Sequence, residues 1–337
     1  MLKTLKIQNF KKFKELNFPQ LKRVNLIAGK NNTGKTGVLE ALLLLSSADG
    51  AVRFGSLVAT QSLPSVFRNC KNIGDMAENY WKWLFHGRIT SDPVVVSAET
   101  EEYSNYSVAL GLGSLPDEYK WKVGIWAGMV MGVLPQTSKK TSTYNPQPLL
   151  SMGVVPLSVH PTDPQQDAVD YDQVVLKAGG EERLEALLRK IEPALKSVRS
   201  IKPHGASLIY VDLVGLKEKM PAVHLGQGFI RLLTIYSKLI ASGGQMLLID
   251  EVENGLHHSI LIDIWRGLSK LAEAENVQIF ATTHSYECIV AAHKAFAETP
   301  AYDFAVHRLD EVKGEIKVTT YDKESLETSF GSHWEVR

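Results

Sequence analysis

Residues 24–47 read VNLIAGKNNTGKTGVLEALLLLSS, and the eight at 29–36, Gly29-Lys30-Asn31-Asn32-Thr33-Gly34-Lys35-Thr36, fit G-x-x-x-x-G-K-[ST]. The context is the one the pattern demands: an apolar strand runs into the loop, and a helix rich in good helix formers opens from Thr36. Glycines let the backbone N–H groups converge on a polyphosphate at a helix N-terminus, where unpaired amides and the helix dipole favour anions. Residues Gly29 to Gly37 are therefore expected to cradle the phosphates of a nucleotide. Lys35 is expected to reach the β- and γ-phosphates, and the Thr36 hydroxyl to ligate Mg²⁺.

Downstream of the loop, strands that are apolar throughout alternate with amphipathic helices. From Phe229, Leu232, Leu233, Tyr236, Leu239 and Ile240 form a helical stripe before the strand QMLLID, and a second stripe at Leu261, Ile264, Trp265, Leu268 and Leu271 precedes VQIFATTHS. This alternation predicts a parallel sheet covered on both faces, and an α/β fold. The first of these strands ends in Asp250 and Glu251. Asp250 is the candidate holder of the Mg²⁺ hydration shell, and Glu251 the candidate to orient or deprotonate the attacking water; Glu253 is a weaker candidate for metal or water contact. His284 closes the next strand, at the sheet edge where α/β proteins bind ligands, and is expected to sense the γ-phosphate. Leu225-Gly226-Gln227-Gly228-Phe229 is a second glycine-rich loop ahead of a helix and a second candidate anion site. His257 and His258 lack metal-ligand spacing and read as surface residues at a helix start.

Elsewhere the pattern is less explicit. Residues 1–28 read as two strands, LKTLKIQNF and RVNLIAG, separated by a turn-like FKKFKELNFPQ. Residues 49–92, with Gln61 among them, mix glycines and aromatics and read as an insertion. Short β-rich runs over 93–134 predict an antiparallel meander and a small second sheet. Residues 135–148, rich in Pro, Ser, Thr and Lys, read as an exposed loop. Leu184, Leu187, Leu188, Ile191, Leu195 and Val198 predict one amphipathic helix over 181–200, followed by the strand ASLIYVDLVG.

The chain has 337 residues, with 37 Lys plus Arg against 37 Asp plus Glu, so net charge demands neither nucleic acid nor an acidic membrane surface. Two cysteines, Cys70 and Cys288, provide no disulfide framework or metal spacing, as in a reducing compartment. The longest apolar run, VGIWAGMVMGVL at 123–134, falls short of the roughly 20 residues a membrane helix needs. It reads as a buried strand pair, and the N-terminus is no export signal. A folded, soluble, cytoplasmic protein is expected.

GKNNTGKT, LGQGF, LLIDEVENGLHHS and ATTHS, in that order, resemble the P-loop, signature, Walker B with D-loop, and switch histidine of ABC-type ATPase heads. The likeness is to the bacterial OLD/RecF-like branch (AAA_15/AAA_21 ATPases), related to the SMC heads, and includes LKIQNFKKFKELNF, ENGLH and TTHSYECI; it covers residues 1–48 and about 205–337. It implies one ABC-type head with a parallel core sheet, an antiparallel β lobe over 93–204 and an inserted helical region at 49–92. It also implies an Mg²⁺-dependent ATP hydrolase whose ATP lies between the P-loop of one copy and the LGQG segment of another. The nucleotide contacts implied across that interface are Gly226, which replaces the signature serine, with the Gln227 and Gly228 amides. A basic residue near the nucleotide falls at Lys11 or Lys12, within the cluster Lys3, Lys6, Lys11, Lys12, Lys14, Lys22 and Arg23. The chain extends about 50 residues beyond His284, too few for the Toprim nuclease of OLD proteins. The resemblance thus implies a homodimer or higher oligomer controlling a separate effector protein in defence or stress; the alternative is a DNA-binding repair head.

Overall fold

A computed structural model of the chain describes residues 1–46, 81–101, 104, 106–112, 114–116, 163–203, 205–241, 243 and 246–330, and the backbone alone at 103, 124–126, 129–133, 136–138, 144–145, 154–157, 242 and 331. Cys70, Gln61 and most of the 49–92 insertion lie outside the described residues. The chain forms two compact units, Met1–Val154 with Ala305–Arg337, and Val155–Phe304.

The first unit opens with a hairpin of β1 (Leu2–Phe10) and β2 (Phe13–Phe18), in antiparallel register with Leu5 opposite Phe18 and Phe10 opposite Phe13. The stretch expected to be turn-like is thus mostly strand. Phe13, Leu16 and Phe18 are buried while Lys14, Glu15 and Asn17 face solvent, so the charged residues that suggest a turn are the outer face of a half-buried strand. Only Lys11 and Lys12 turn the chain, Lys11 at φ +50°. Next, β3 (Val24–Gly29), buried at every residue, leads into the loop and α1 (Lys35–Ser46).

The meander expected over 93–134 forms from β4 (Val94–Thr100), β6 (Tyr106–Leu112), β7 (Gly124–Trp126) and β8 (Met129–Val133). It extends the N-terminal hairpin, in the order β2-β1-β4-β6-β8-β7, instead of making a sheet of its own. The run at 123–134 supplies the β7–β8 pair. A three-stranded sheet joins β5 (Tyr103–Ser104) to β9 (Gln136–Ser138) and β10 (Tyr144–Asn145), so strands enter the expected exposed loop. The C-terminal hairpin of β17 (Phe304–Val312) and β18 (Glu315–Tyr321) pairs in the order β3-β17-β18, and α7 (Lys323–Gly331) follows.

The second unit holds the expected α/β alternation. After β11 (Val154–Leu157), α2 (Pro164–Val175) begins at Asp163, whose side chain accepts from the Gln165 amide at 3.0 Å, with Pro164 at the first helical position. The helix expected over 181–200 is shorter: α3 (Gly180–Leu188) stops ahead of Pro193, and Leu195 and Val198 lie on strand β12 (Leu195–Ile201). Proline cannot donate to the helical ladder, and it disfavours helix in the residue before it. The strand β12 pairs antiparallel with β13 (Leu208–Leu213), which pairs with β14 (Met220–Pro221). Then come α4 (Gln227–Ser242), β15 (Met246–Ile249), α5 (Leu261–Ala274), β16 (Gln278–Thr283) and α6 (Tyr286–Ala297). The pair β15–β16 is parallel, with Ile249 opposite Ala281, so both strands deliver their C-terminal ends to the same edge. A core of Trp265, Phe296 and Phe304 rings lies beneath, the two phenylalanines stacked at 4.7 Å. Among the described residues no helix is long and apolar enough to cross a membrane.

Candidate functional site

In the first unit the loop between β3 and α1 folds around the Lys35 side chain. Lys35 is 9% exposed, and its ammonium donates to the carbonyls of Gly29 at 2.7 Å and Lys30 at 3.0 Å. Thr33 closes the loop with a 2.9 Å bond from its hydroxyl to the same Lys30 carbonyl. Gly34 sits at φ +96°, and a Cβ there would come within 2.7 Å of the Phe13 ring, so both the conformation and the space require glycine. Lys30, Asn31, Asn32 and Thr36 are exposed along the rim; Gly29 and Gly37 are buried. Of the two candidate bases, Lys12 is the one at the loop: its ammonium donates to the Asn32 carbonyl. Lys11 instead pairs with Glu40 on α1. Phe13 and Lys12 thus bring the β1–β2 turn onto the phosphate loop, a contact that the chain order does not suggest.

In the second unit, the ends of β15 and β16 bring Asp250, Glu251 and His284 to one edge. A single hydroxyl ties the two acids: Thr282 Oγ1 donates to Asp250 Oδ1 at 2.5 Å and accepts from the Glu251 amide at 2.8 Å. Arg231, on α4, donates to the Asp250 carbonyl at 2.6 Å. Burial holds its guanidinium below the usual arginine range, opposed by the carboxylates of Asp250, Glu251 and Glu253. Glu251 itself takes φ +46°, a left-handed conformation uncommon outside glycine and typical of functional turns. Glu253 is turned inward, with 10% of its side chain exposed. Its Oε1 accepts from Thr283 Oγ1 at 2.7 Å and from the His284 amide at 3.0 Å, and the His284 Nδ1 lies 3.3 Å away.

The glycine-rich loop ahead of α4 is also in this unit. Gly226 and Gln227 are exposed at the helix start. A Cβ on Gly228 would lie 2.7 Å from the Gly255 carbonyl, so the first turn of α4 rests directly on the 251–256 turn. His257 and His258 are exposed at the helix start, their rings 4.2 Å apart. Cys288 is a core thiol, pushed up to about 12 by burial. Arg231, Thr282 and Phe13 are the supports that the sequence reading missed. The two threonines of ATTHS are the one local signal, since hydroxyls at a strand end suit the fixing of neighbouring carboxylates.

Among the described residues no three His, Cys, Asp or Glu side chains gather to hold a metal by themselves. The Thr36 hydroxyl in the first unit and the Asp250 carboxylate in the second are each hard oxygens, the donor type that Mg²⁺ prefers.

This architecture, with a phosphate loop opening a helix and an acid pair closing a parallel strand, is that of a P-loop ATPase head. The comparisons with known proteins agree. Residues 1–82 match the AAA_15 family model, "AAA ATPase domain", and residues 164–289 match AAA_21, "AAA domain, putative AbiEii toxin, Type IV TA system". A Helicobacter pylori protein described as an ATP/GTP phosphatase is 22% identical over 98% of this chain and 98% of its own length. Among solved structures, an SMC head bound to the C-winged helix domain of ScpA superposes with a TM-score of 0.56 at 12% identity, covering 97% of this chain and 99% of that one. The SMC head domain from Thermotoga maritima gives 0.52 at 14% identity, covering 95% and 99%. At these identities the likeness is one of fold: the chain has the fold of the SMC heads.

Proposed function

We propose that this ATPase head hydrolyses ATP with Mg²⁺, and that ATP-dependent association of its copies controls a separate effector protein in a defence or stress system. Lys35 and the loop amides bind the phosphates, with Lys12 at the loop rim, and Thr36 and Asp250 serve the Mg²⁺ that arrives with the nucleotide. Mg²⁺, once bound, neutralises charge on the phosphates. Glu251 orients or deprotonates the attacking water, His284 meets the γ-phosphate, and Gly226, Gln227 and Gly228 offer amides to the ATP of a second copy. A γ-phosphate held from both sides stabilises the association only while ATP is intact, so hydrolysis releases it.

The observation that carries this reading is the acid end, where one threonine hydroxyl fixes Asp250 and the Glu251 amide together. Such preorganisation suits a group that must meet water in a set geometry. The description of the Helicobacter relative supports nucleotide hydrolysis, and an SMC head seated on ScpA supports a partner for heads of this fold.

The second reading, a repair ATPase that touches DNA, rests on the N-terminal bases. The structure gives it less: Lys3, Lys6, Lys11 and Lys14 reach the carboxylates of Glu101, Glu15, Glu40 and Glu315. The steady-state ATPase rate with and without duplex DNA, at low and moderate salt, separates the two. A rate unchanged by DNA supports the effector reading. Stimulation that fades with salt marks direct phosphate-backbone contact and replaces it with the repair reading. No ATP turnover above that of Lys35→Ala overturns both.

A further inference from the structure

The Glu253 carboxylate is nine-tenths buried, with 10% of its side chain exposed, although it lies two residues beyond the acid pair on a surface turn. Its two oxygens have different surroundings. Oε2 is buried with no hydrogen-bond partner among the described residues. Oε1 is crowded: it receives the Thr283 hydroxyl at 2.7 Å and the His284 amide at 3.0 Å, with the His284 ring Nδ1 at 3.3 Å. A buried carboxylate turned away from water is costly unless its bonds are needed, so the arrangement calls for an account.

From this geometry we infer that Glu253 is the positioning residue for His284: it fixes the backbone at 283–284 and sets the tautomer of the ring. An ionised carboxylate oxygen only accepts, so the ring nitrogen 3.3 Å from it is the one the carboxylate favours as the N–H. Nδ1–H therefore points at Glu253, and Nε2 is left as the half-exposed ring's atom for the nucleotide or its water. Carboxylates orient metal-bound and catalytic histidines through the second ring nitrogen in the same way. The anchor continues forward along the chain. Thr283 Oγ1 also accepts from the Ser285 amide at 3.0 Å, and Ser285 caps α6 by accepting from the Cys288 amide at 3.1 Å. On the other side, the 251–256 turn that carries Glu253 closes through Leu256 N to Glu253 O at 2.9 Å and presents the Gly255 carbonyl to Gly228. Glu253 thus links the turn under the start of α4 to the histidine at the end of β16.

Two measurements test this, and only the second rests on the ATPase reading. The first is a histidine-selective ¹⁵N correlation spectrum of the full-length protein, with His284 assigned by His284→Ala. The wild type should show His284 with Nδ1 protonated, and Glu253→Ala should move it to the Nε2–H form that free imidazole prefers. A wild-type ring already in the Nε2–H form, or one unchanged in Glu253→Ala, overturns the inference whether or not the protein turns over ATP. The second is a double-mutant cycle on kcat. Glu253→Ala should lower kcat about tenfold with KM for ATP within about twofold, Glu253→Gln, which keeps an acceptor oxygen, should recover most of that loss, and Glu253→Ala should cost nothing further in a His284→Ala background. Equal losses in both backgrounds, or no recovery with glutamine, would show a role that does not pass through His284.

Discussion

Within residues 29–36 the phosphate loop is held mainly by its own neighbours: Lys35 bonds the Gly29 and Lys30 carbonyls, and Thr33 bonds Lys30. The acid end of β15 is held from far along the chain. Arg231 reaches Asp250 from 19 residues away, and Thr282 reaches Glu251 and Asp250 from 31 and 32. A loop closed by local bonds keeps its shape for the entropy of a few residues, whereas an acid pair fixed by α4 and β16 has its shape only when the whole unit is folded. The difference fits the division of labour that the proposed function assigns, with binding on the local motif and the chemical step where several elements must agree.

The largest expected effects test that division directly. Lys35→Ala removes a charged donor from the loop and should weaken ATP binding on the order of 100-fold. Glu251→Gln should leave ATP binding within a few-fold and lower kcat roughly 100- to 1000-fold. Calorimetric binding of ATP with Mg²⁺, beside steady-state turnover, reads both. If Glu251→Gln loses binding as badly as Lys35→Ala, the division is wrong; if it keeps full turnover, another group activates the water.

The second effect sets the two units against each other through acid. His307, on β17 of the first unit, is fully buried; its Nε2 donates to Asn25 Oδ1 at 3.2 Å and its Nδ1 accepts from the Thr320 hydroxyl at 3.0 Å. Both nitrogens are committed to the neutral ring, and burial pushes the group down to about 3. The unfolded chain takes up this proton near pH 6.5, while the folded chain refuses it until about pH 3. Stability from this group is therefore complete above pH 6.5 and falls as pH drops, by about 2 kcal/mol at pH 5. Urea unfolding at pH 7 and pH 5 should show that loss, and His307→Gln should flatten it. Hydrogen exchange should show β3 and β17 opening before β15 and β16 as pH falls; the reverse order would mean that acid acts first on the second unit.

The same contrast explains what was legible in the chain. GKNNTGKT announces its loop because the residues that shape it are the motif itself, and the β15–α5–β16 alternation is plain because strands buried on both faces are apolar throughout. Asp250, Glu251 and His284 were legible as strand-end residues. Their supports were not: nothing local marks Arg231 as the donor to Asp250, and Phe13 lies in a stretch whose four charged residues from Lys11 to Glu15, broken only by that phenylalanine, suggest a turn. The helix expected over 181–200 failed for a local reason, Pro193, whose backbone restriction outranks a leucine stripe that a strand of alternating burial can also carry. Glu253 misled because its sequence position suggests exposure, while its bonds come from the end of another strand.

A smaller effect follows at the contact between α4 and the 251–256 turn. Gly228→Ala places a Cβ 2.7 Å from the Gly255 carbonyl, a backbone atom that cannot swing aside. The cost should be about 1–2 kcal/mol of stability, together with a lower kcat as the turn carrying Glu253 shifts. A stability loss without any change in kcat would separate the start of α4 from the chemistry and confine the coupling to Glu253 and His284.

The smallest effect is the most discriminating for the idea that the acid pair is shaped from a distance. Thr282→Val keeps the shape of a fully buried side chain and deletes only the hydroxyl shared by Asp250 and the Glu251 amide. Asp250 is only partly buried, so water can replace the lost bond, and the stability cost should be about 1 kcal/mol. What water cannot replace is the fixed spacing of the two acids. The rate should therefore fall about three- to tenfold, and the Mg²⁺ concentration for half-maximal turnover should rise, because Asp250 loses its orientation. Thr283→Val, which loses the bond to Glu253 instead, should leave the Mg²⁺ midpoint alone. If the two variants move that midpoint equally, the metal does not distinguish Asp250 from the rest of the edge, and the acid end acts as one diffuse patch instead of a set of separately held groups.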